Sequence, residues 1–337
     1  MSRVRIEDVA AAAQVSMKTV SRVLNREPNV REETREKVMA AVERLRYVPN
    51  LSARSLAGNR SFLVALLYNN PSGNYLMEVM SGVLSACEEH DYAMLMCPLE
   101  AGGAELIAHV DALIRRAQPD GLVLTPPLTD VPELIEHLRD VGMPFSSISP
   151  RDRSGGIGVG MDETRAAYDM VMHLVSLGHR RIGHISGHAA HGASGWRLAG
   201  YRQALKDAKI RYEASLVVPG EFSFESGVRA ARRLLDRAEP PTAIFAANDD
   251  MAAGVISAAH ERGLGVPGDL SVCGFDDIPL AHQISPPLTT VQQPTRAMGR
   301  QSTLGLLAAI RDPEAGAMVT IPYTLCKRAS TGPVPRR

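Results

Sequence analysis

From Ser61 onward, short runs rich in β-formers alternate with stretches of helical periodicity, and that alternation leaves few folds open. Phe62 to Tyr68 is followed by Tyr75 to His90, Ala93 to Cys97 by Gly103 to Arg116, and Gly121 to Thr125 by Val131 to Asp140. A second series runs through Asp162 to Leu177, Arg181 to Ser186, Gly195 to Lys209, Phe224 to Arg237, Ala243 to Ala247, Asp249 to Arg262 and Leu270 to Phe275. Such alternation builds right-handed βαβ crossovers and parallel sheets. Phe145 to Gly160, rich in Ser, Gly and Pro, lies between the two series and reads as a boundary. The expected body is α/β and two-lobed, with a ligand held in the cleft at the strands' carboxyl ends. Met94 and Met96 stand at strand spacing and read as core.

The first 60 residues have a different texture. Ile6, Val9, Ala10 and Ala13 recur at helical spacing, Gln14-Val15-Ser16 breaks the pattern, and Val20, Val23 and Leu24 restart it. Two short helices joined by a tight turn follow, with Ser16 as the N-cap of the second and Met17, Lys18, Ser21, Arg22 and Asn25 on its outward face. A third helix is predicted from about Glu32 to Arg46, with Val38, Val42 and Leu45 on one face. Pro49-Asn50 opens a short segment, Leu51 to Ala57, that Gly58 closes.

The 337-residue chain has zero formal net charge, which conceals an asymmetry: residues 1–60 carry 12 basic and 7 acidic side chains, the remainder 25 and 30. A basic head on a mildly acidic body fits a nucleic-acid-binding module joined to something else. Composition is that of an ordinary globular protein, with 45% hydrophobic and 22% charged residues, which excludes collagen, coiled-coil and disordered classes. Cys87, Cys97, Cys273 and Cys326 form no Cys-x-x-Cys pair and read as reduced core thiols. Glu7 and Asp8 interrupt any apolar leader run, and no apolar run reaches 18 residues. A cytoplasmic protein that does not contact membrane is expected.

Ile6-Glu7-Asp8-Val9-Ala10, Val15 to Asn25, Thr34-Arg35-Glu36-Lys37-Val38 and Tyr47-Val48-Pro49-Asn50 together resemble the lactose-repressor (LacI/GalR) family of bacterial transcription regulators. The likeness continues in Leu177-Gly178-His179-Arg180-Arg181-Ile182, Ala247-Asn248-Asp249-Asp250-Met251-Ala252, Gly274-Phe275-Asp276-Asp277 and Pro287-Leu288-Thr289-Thr290. The resemblance implies an all-α helix-turn-helix head over residues 1–49, a hinge helix and linker over 50–60, a two-lobed periplasmic-binding-protein-like body over 61–330 and a tail over 331–337. Lobe 1 would comprise about 61–161 and 293–320, lobe 2 about 162–292 and 321–330. Two positions depart from the family pattern: Gln14 stands where Gly is frequent, and Arg31 where a Ser would cap the third helix.

For the head, the resemblance implies that Met17, Lys18 and Arg22 choose bases, while Ser16, Thr19, Ser21, Asn25 and Thr34 sit on phosphates; Arg5, Asn50 and Ala53 complete the DNA contacts. The chemistry agrees with that division. Lys18 and Arg22 can donate to guanine O6 and N7, and hydroxyls near a helix N-terminus suit phosphate oxygens. Leu56 matches the family's minor-groove wedge, on a hinge too short to be helical alone. A homodimer on a pseudo-palindromic double-stranded operator is implied. Ala329 to Arg337 contains no leucine heptad, so the tetramerising helix of some relatives is not expected.

For the body, family effector positions fall on Asn69, Asn74, Tyr75, Thr125 and Ser149 in the first lobe, on Arg197, Phe222, Asn248 and Asp276 in the second, and on Gln293 near a crossover. Such a mixture suits a sugar, whose hydroxyls need carboxylate, amide and guanidinium partners while an aromatic face covers its C–H patches. Trp196 lines the cleft or packs beneath it. No cofactor, metal or enzymatic activity is expected. His184, His188 and His191 have metal-like spacing but no adjacent acid, and Gly156 to Gly160 lacks the strand-turn-helix context of a dinucleotide loop. Asp249-Asp250 and Asp276-Asp277 could be a hydrolase's acid and base, but neighbours in sequence point apart, so single ligand contacts or capping are expected. The function implied is a sugar-released repressor of carbohydrate uptake or catabolism genes. Alternatives are a purine-type corepressor-dependent regulator or, against the N-terminal head, a sugar-binding receptor or hydrolase.

Overall fold

The computed structural model describes residues 4–24, 29–47, 60–99 and 104–335. They fall into two compact units, Met1–Phe62 and Leu63–Arg337.

The first unit is three helices, α1 (Ile6–Ala13), α2 (Met17–Leu24) and α3 (Glu32–Leu45). Their spaced apolar positions meet in one small core of Val9, Ala10, Ala13, Val20, Val23, Val38 and Ala41. Glu7 and Asp8 sit in the first turn of α1, where the helix dipole favours anions. Gln14 ends α1 at φ 54°, a left-handed conformation that costs a non-glycine residue roughly 1–2 kcal/mol. Ser16 Oγ accepts the Thr19 N–H at 3.1 Å, so the expected N-cap is made. Arg31 precedes α3 without a side-chain cap, and Glu32 and Glu33 supply negative charge there instead.

The second unit contains two separate parallel sheets. The first has the order β11-β5-β4-β3-β1-β2, built from β1 (Leu63–Tyr68), β2 (Ala93–Pro98), β3 (Gly121–Leu124), β4 (Phe145–Ile148), β5 (Gly158–Gly160) and β11 (Met318–Thr320). Helices α4 (Gly73–Glu89), α5 (Ala104–Ala117), α6 (Pro132–Asp140) and α12 (Thr295–Arg311) accompany it. The second sheet has the order β7-β6-β8-β9, from β6 (Ile182–Ser186), β7 (Val217–Pro219), β8 (Ala243–Ala246) and β9 (Ser271–Cys273). Its helices are α7 (Glu163–Ser176), α8 (Gly192–Asp207), α9 (Phe224–Leu235) and α10 (Asp249–His260), and apolar cores lie on both its faces. The short α11 (Leu280–Gln283) and the antiparallel pair β10 (Thr290–Gln292) and β12 (Thr324–Cys326) complete the unit. The chain passes between the sheets three times: after β5, between β10 and α12, and between β11 and β12.

Two readings need correction, and one element carried no reading. The supposed boundary Phe145 to Gly160 contains two strands of the first sheet, β4 and β5, and the crossing follows at Met161 and Asp162. Met96 is exposed and Met94 only partly buried, because β2 is the sheet's edge strand. The 17-residue α12 was not anticipated. It packs along α4 so closely that a methyl on Gly82 would meet the Arg296 carbonyl and one on Gly299 the Val79 carbonyl. No helix among the described residues is long and apolar enough to cross a membrane.

Candidate functional site

In the head, Val20 and Val23 anchor α2 in the core, and this turns the intervening positions outward. Met17 is 51% exposed despite its apolar side chain, and Lys18 and Arg22 are exposed beside it. An apolar contact and two long cations therefore share one helix face. Ser16 is exposed, Thr19, Ser21 and Thr34 are half-buried, and Arg5 is exposed just ahead of α1. The Ser16 and Thr19 hydroxyls lie 2.9 Å apart at the start of α2, where N–H groups already favour an anion. Asn25, Asn50, Ala53 and Leu56 lie outside the described residues.

In the body, the carboxyl ends of the two sheets enclose a small cavity lined by Tyr75, Ser149, Arg197, Phe222, Asn248, Asp276 and Gln293. Ser149 follows β4, Phe222 follows β7, Asn248 follows β8 and Asp276 follows β9, so each is presented where a parallel sheet presents ligands. Ser149, Phe222 and Asp276 have φ of 47°, 59° and 119°, so backbone strain concentrates at the cavity wall. Gly187, after β6, has no side chain because a methyl there would fall inside the Phe222 ring. Asn69, Asn74 and Thr125 do not line this cavity. Asn69 is exposed, while Asn70 one residue later lines it; Asn74 hydrogen-bonds the Asp250 carboxylate; Thr125 Oγ1 turns inward to donate to the Leu67 carbonyl at 3.2 Å.

Arg197 is the centre of the site, at 4% exposure. Its Nε and Nη2 both lie 3.0 Å from Glu163 Oε2, Nη2 donates to Gln293 Oε1 at 3.2 Å, and Nη1 donates to the Ala247 carbonyl. Asp276 Oδ1 stands 3.5 Å from Nη2, a charge contact without a hydrogen bond. The guanidinium also lies over the Phe275 ring at 3.7 Å, which fixes its plane. Burial pushes the Asp276 carboxyl up to about 7, against the pull of Arg197. Burial also holds His191 down at about 4, with His188 and Arg197 adding to the effect, so its imidazole is neutral at pH 7. Two buried polar atoms on the wall, Ser149 Oγ and Asp276 Oδ1, have no hydrogen-bond partner among the described residues.

Sequence reasoning missed Glu163, His191, Ser72 and Asn70. Glu163 follows the N-cap Asp162, where an acid is expected for helix stability alone, so its position carried no separate signal. The His188 and His191 rings meet edge to face at 6.1 Å, but His184 does not join them. His184 stacks between Tyr201 and Phe245, its ring 5.1 and 5.0 Å from theirs, while His188 borders a different surface hollow. No three His, Cys, Asp or Glu side chains among the described residues gather as a metal set. Asp249 accepts from Thr290 Oγ1 at 2.6 Å and from the Ile278 N–H at 3.0 Å, while Asp250 turns to Ser72; Asp277 pairs with Arg328 at 2.7 Å, behind Asp276. Trp196 packs under the Arg153 guanidinium, 4.7 Å away, and is not among the residues lining the cavity.

Comparison with known proteins agrees with both halves. Residues 5–50 match the bacterial regulatory proteins of the lacI family, and residues 171–331 match a periplasmic binding protein-like domain. The HTH-type transcriptional regulator DegA of Bacillus subtilis (strain 168) is 35% identical over 339 residues, covering 98% of each chain. A transcriptional regulator CelR–cellobiose complex is 32% identical with TM-score 0.74, over 97% of this chain and 100% of that one. The lac repressor dimer bound to operator and the anti-inducer ONPF is 30% identical with TM-score 0.80, over 98% of this chain and 100% of that one.

Proposed function

The chain belongs to the lacI family of bacterial regulatory proteins, and from that membership we propose that it is a homodimeric repressor of carbohydrate uptake or catabolism genes, released from its operator by a sugar. The observation that carries the sensor half is the pair of buried atoms without a hydrogen bond among the described residues, Ser149 Oγ and Asp276 Oδ1, on a wall that also presents the Phe222 ring. A buried polar group without a partner costs about 1–3 kcal/mol, and sugar hydroxyls are able to satisfy both atoms at once. The similar CelR structure holds cellobiose, and the similar lac repressor structure is an operator-bound dimer.

Dimerisation also has a surface to use. Met77 and Leu84 share one face of α4 and are 56% and 39% exposed, next to the edge strand β2 with Met96. Met17, Lys18 and Arg22 read bases in the major groove, and a two-fold axis sets a second head on the other half-site.

The test is a gel-shift titration of the full chain on its own upstream DNA, with and without a panel of sugars, alongside sedimentation. Release by a panel member from a dimer is expected. Sugar-strengthened binding would replace the inducer reading with a corepressor one, and tight operator binding by a strict monomer would overturn the dimer.

A further inference from the structure

We infer that the cleft is built against anions, so that the effector is an uncharged polyhydroxylated molecule rather than a phosphorylated or carboxylated one, and that Glu163 is the residue that sets this choice. The inference rests on the cleft being the sensor site.

Arg197 is the one cation among the described residues lining the cavity, because burial keeps His191 neutral. Two acids, Glu163 and Asp276, flank that single guanidinium, and Glu163 takes its Nε and Nη2 at 3.0 Å. The remaining Nη1 donates to the Ala247 carbonyl. No fork of donors is left for a carboxylate or phosphate to grip, and the wall's net charge is zero or negative whether or not Asp276 holds a proton. An incoming anion would meet Glu163 across a desolvated space, where like charges repel strongly.

Helix N-termini are the other feature that receives anions, and of those bordering the cavity five already hold a protein oxygen, while α12, behind Gln293, starts without a side-chain cap. Ser72 Oγ accepts from the Tyr75 N–H at α4, Asp162 from Arg165 at α7, Asp130 from Gly192 at α8, Ser223 from Ser226 at α9, and Asn248 from Met251 at α10. Asp162 at α7 is a carboxylate and so, while the two halves are tied, is Asp130 at α8; both add negative charge at places a phosphate would seek. What remains for a ligand is a hydroxyl, a carboxylate acceptor and an aromatic face, the set that suits neutral hydroxyls and C–H surface.

Calorimetry on the full chain would compare neutral mono- and disaccharides, each beside its 6-phosphate and its uronate. The neutral member is expected to bind at least tenfold more tightly than its charged partners. Glu163→Gln preserves shape and hydrogen bonding while removing charge, and should narrow that gap at least fivefold. Asp276→Asn, which also removes a negative charge from the wall, should narrow it in the same direction and serves if Glu163→Gln does not fold. Tighter wild-type binding of a phosphate or uronate, or a gap unchanged in the folded variants, would overturn the inference while leaving the sensor site in place. A ligand whose affinity is unaltered by Phe222→Ala binds outside the cleft, and that result would instead remove the sensor site itself.

Discussion

The Asp130 carboxylate accepts the backbone N–H of Gly192 at 2.9 Å, joining the loop after β3 to the first turn of α8 in the other half of the body. Its second oxygen takes the Arg151 N–H at 2.7 Å, which aims the group. Ser72 Oγ makes a matching tie to Asp250 Oδ2 at 2.7 Å. Between these ties the cavity measures only about 40 Å³, against the roughly 300–1,000 Å³ of ordinary small-molecule pockets. A sugar can enter only if the two halves separate, so the ties compete with the ligand.

Asp130→Ala should therefore favour the ligand-accepting arrangement. A hydrogen bond to a charged group contributes about 1.5–3 kcal/mol net, so effector binding should tighten about ten- to hundredfold. Calorimetry checks this, and weaker binding would place the bond in the liganded arrangement instead.

Arg197→Ala should do more than weaken the effector. It strands Glu163, 2% exposed, without its counter-charge, and breaking one side of a buried pair costs about 3–5 kcal/mol. In urea unfolding, Arg197→Met with Glu163→Gln should be more stable than Arg197→Ala alone; equal losses would show that the pair is not coupled.

Asp276→Asn should stabilise the protein while impairing its ligand. Burial raises the carboxyl from 3.8 to about 7, so the native state keeps a proton that the unfolded chain sheds between those values. That group's contribution to stability thus declines as pH rises through the interval. Asn accepts the 119° φ more readily than Ala would. A higher melting temperature at pH 8 and a ten- to hundredfold weaker sugar affinity are expected; a melting difference that does not grow from pH 4 to pH 7 contradicts it.

His184 acts with the opposite sign. Fully buried, it is pushed down from 6.5 to about 4, so its contribution is intact above 6.5 and is lost as pH falls toward 4. His184→Phe should lose less melting temperature across that range than wild type. Parallel curves would assign the acid sensitivity to other groups.

Arg22→Ala should cost about 1–3 kcal/mol on the cognate operator and far less on random DNA at the same salt. Equal losses on both would make Arg22 a phosphate contact.

The sequence was most legible where burial follows periodicity, as in the α2 face set by Val20 and Val23, or runs unbroken, as in the strand Val64 to Leu67. It was least legible at α12, whose buried side includes Thr295, Gly299, Ser302 and Thr303 beside Met298, Leu306 and Leu307. Small polar residues allow the close approach to α4 and erase the apolar rhythm by which a helix is recognised. In the cleft, family likeness pointed to Arg197 and Asp276, but which of Asn69 and Asn70 faces inward depends on a strand-end geometry that one residue reverses. The left-handed backbone at Ser149, Phe222 and Asp276 is imposed by tertiary packing and leaves no mark on residue identity.

The late return of the chain to its first sheet also has a consequence for synthesis on the ribosome. Strands β1 to β5 are complete at Gly160, yet α12, which covers α4 and β3 to β5, begins only at Thr295. At about 5–20 residues per second, roughly 7 to 30 s pass in which Val79, Val83 and the strands beneath have no roof. The nascent first lobe thus keeps apolar surface uncovered longer than the second, whose sheet and helices are contiguous in sequence.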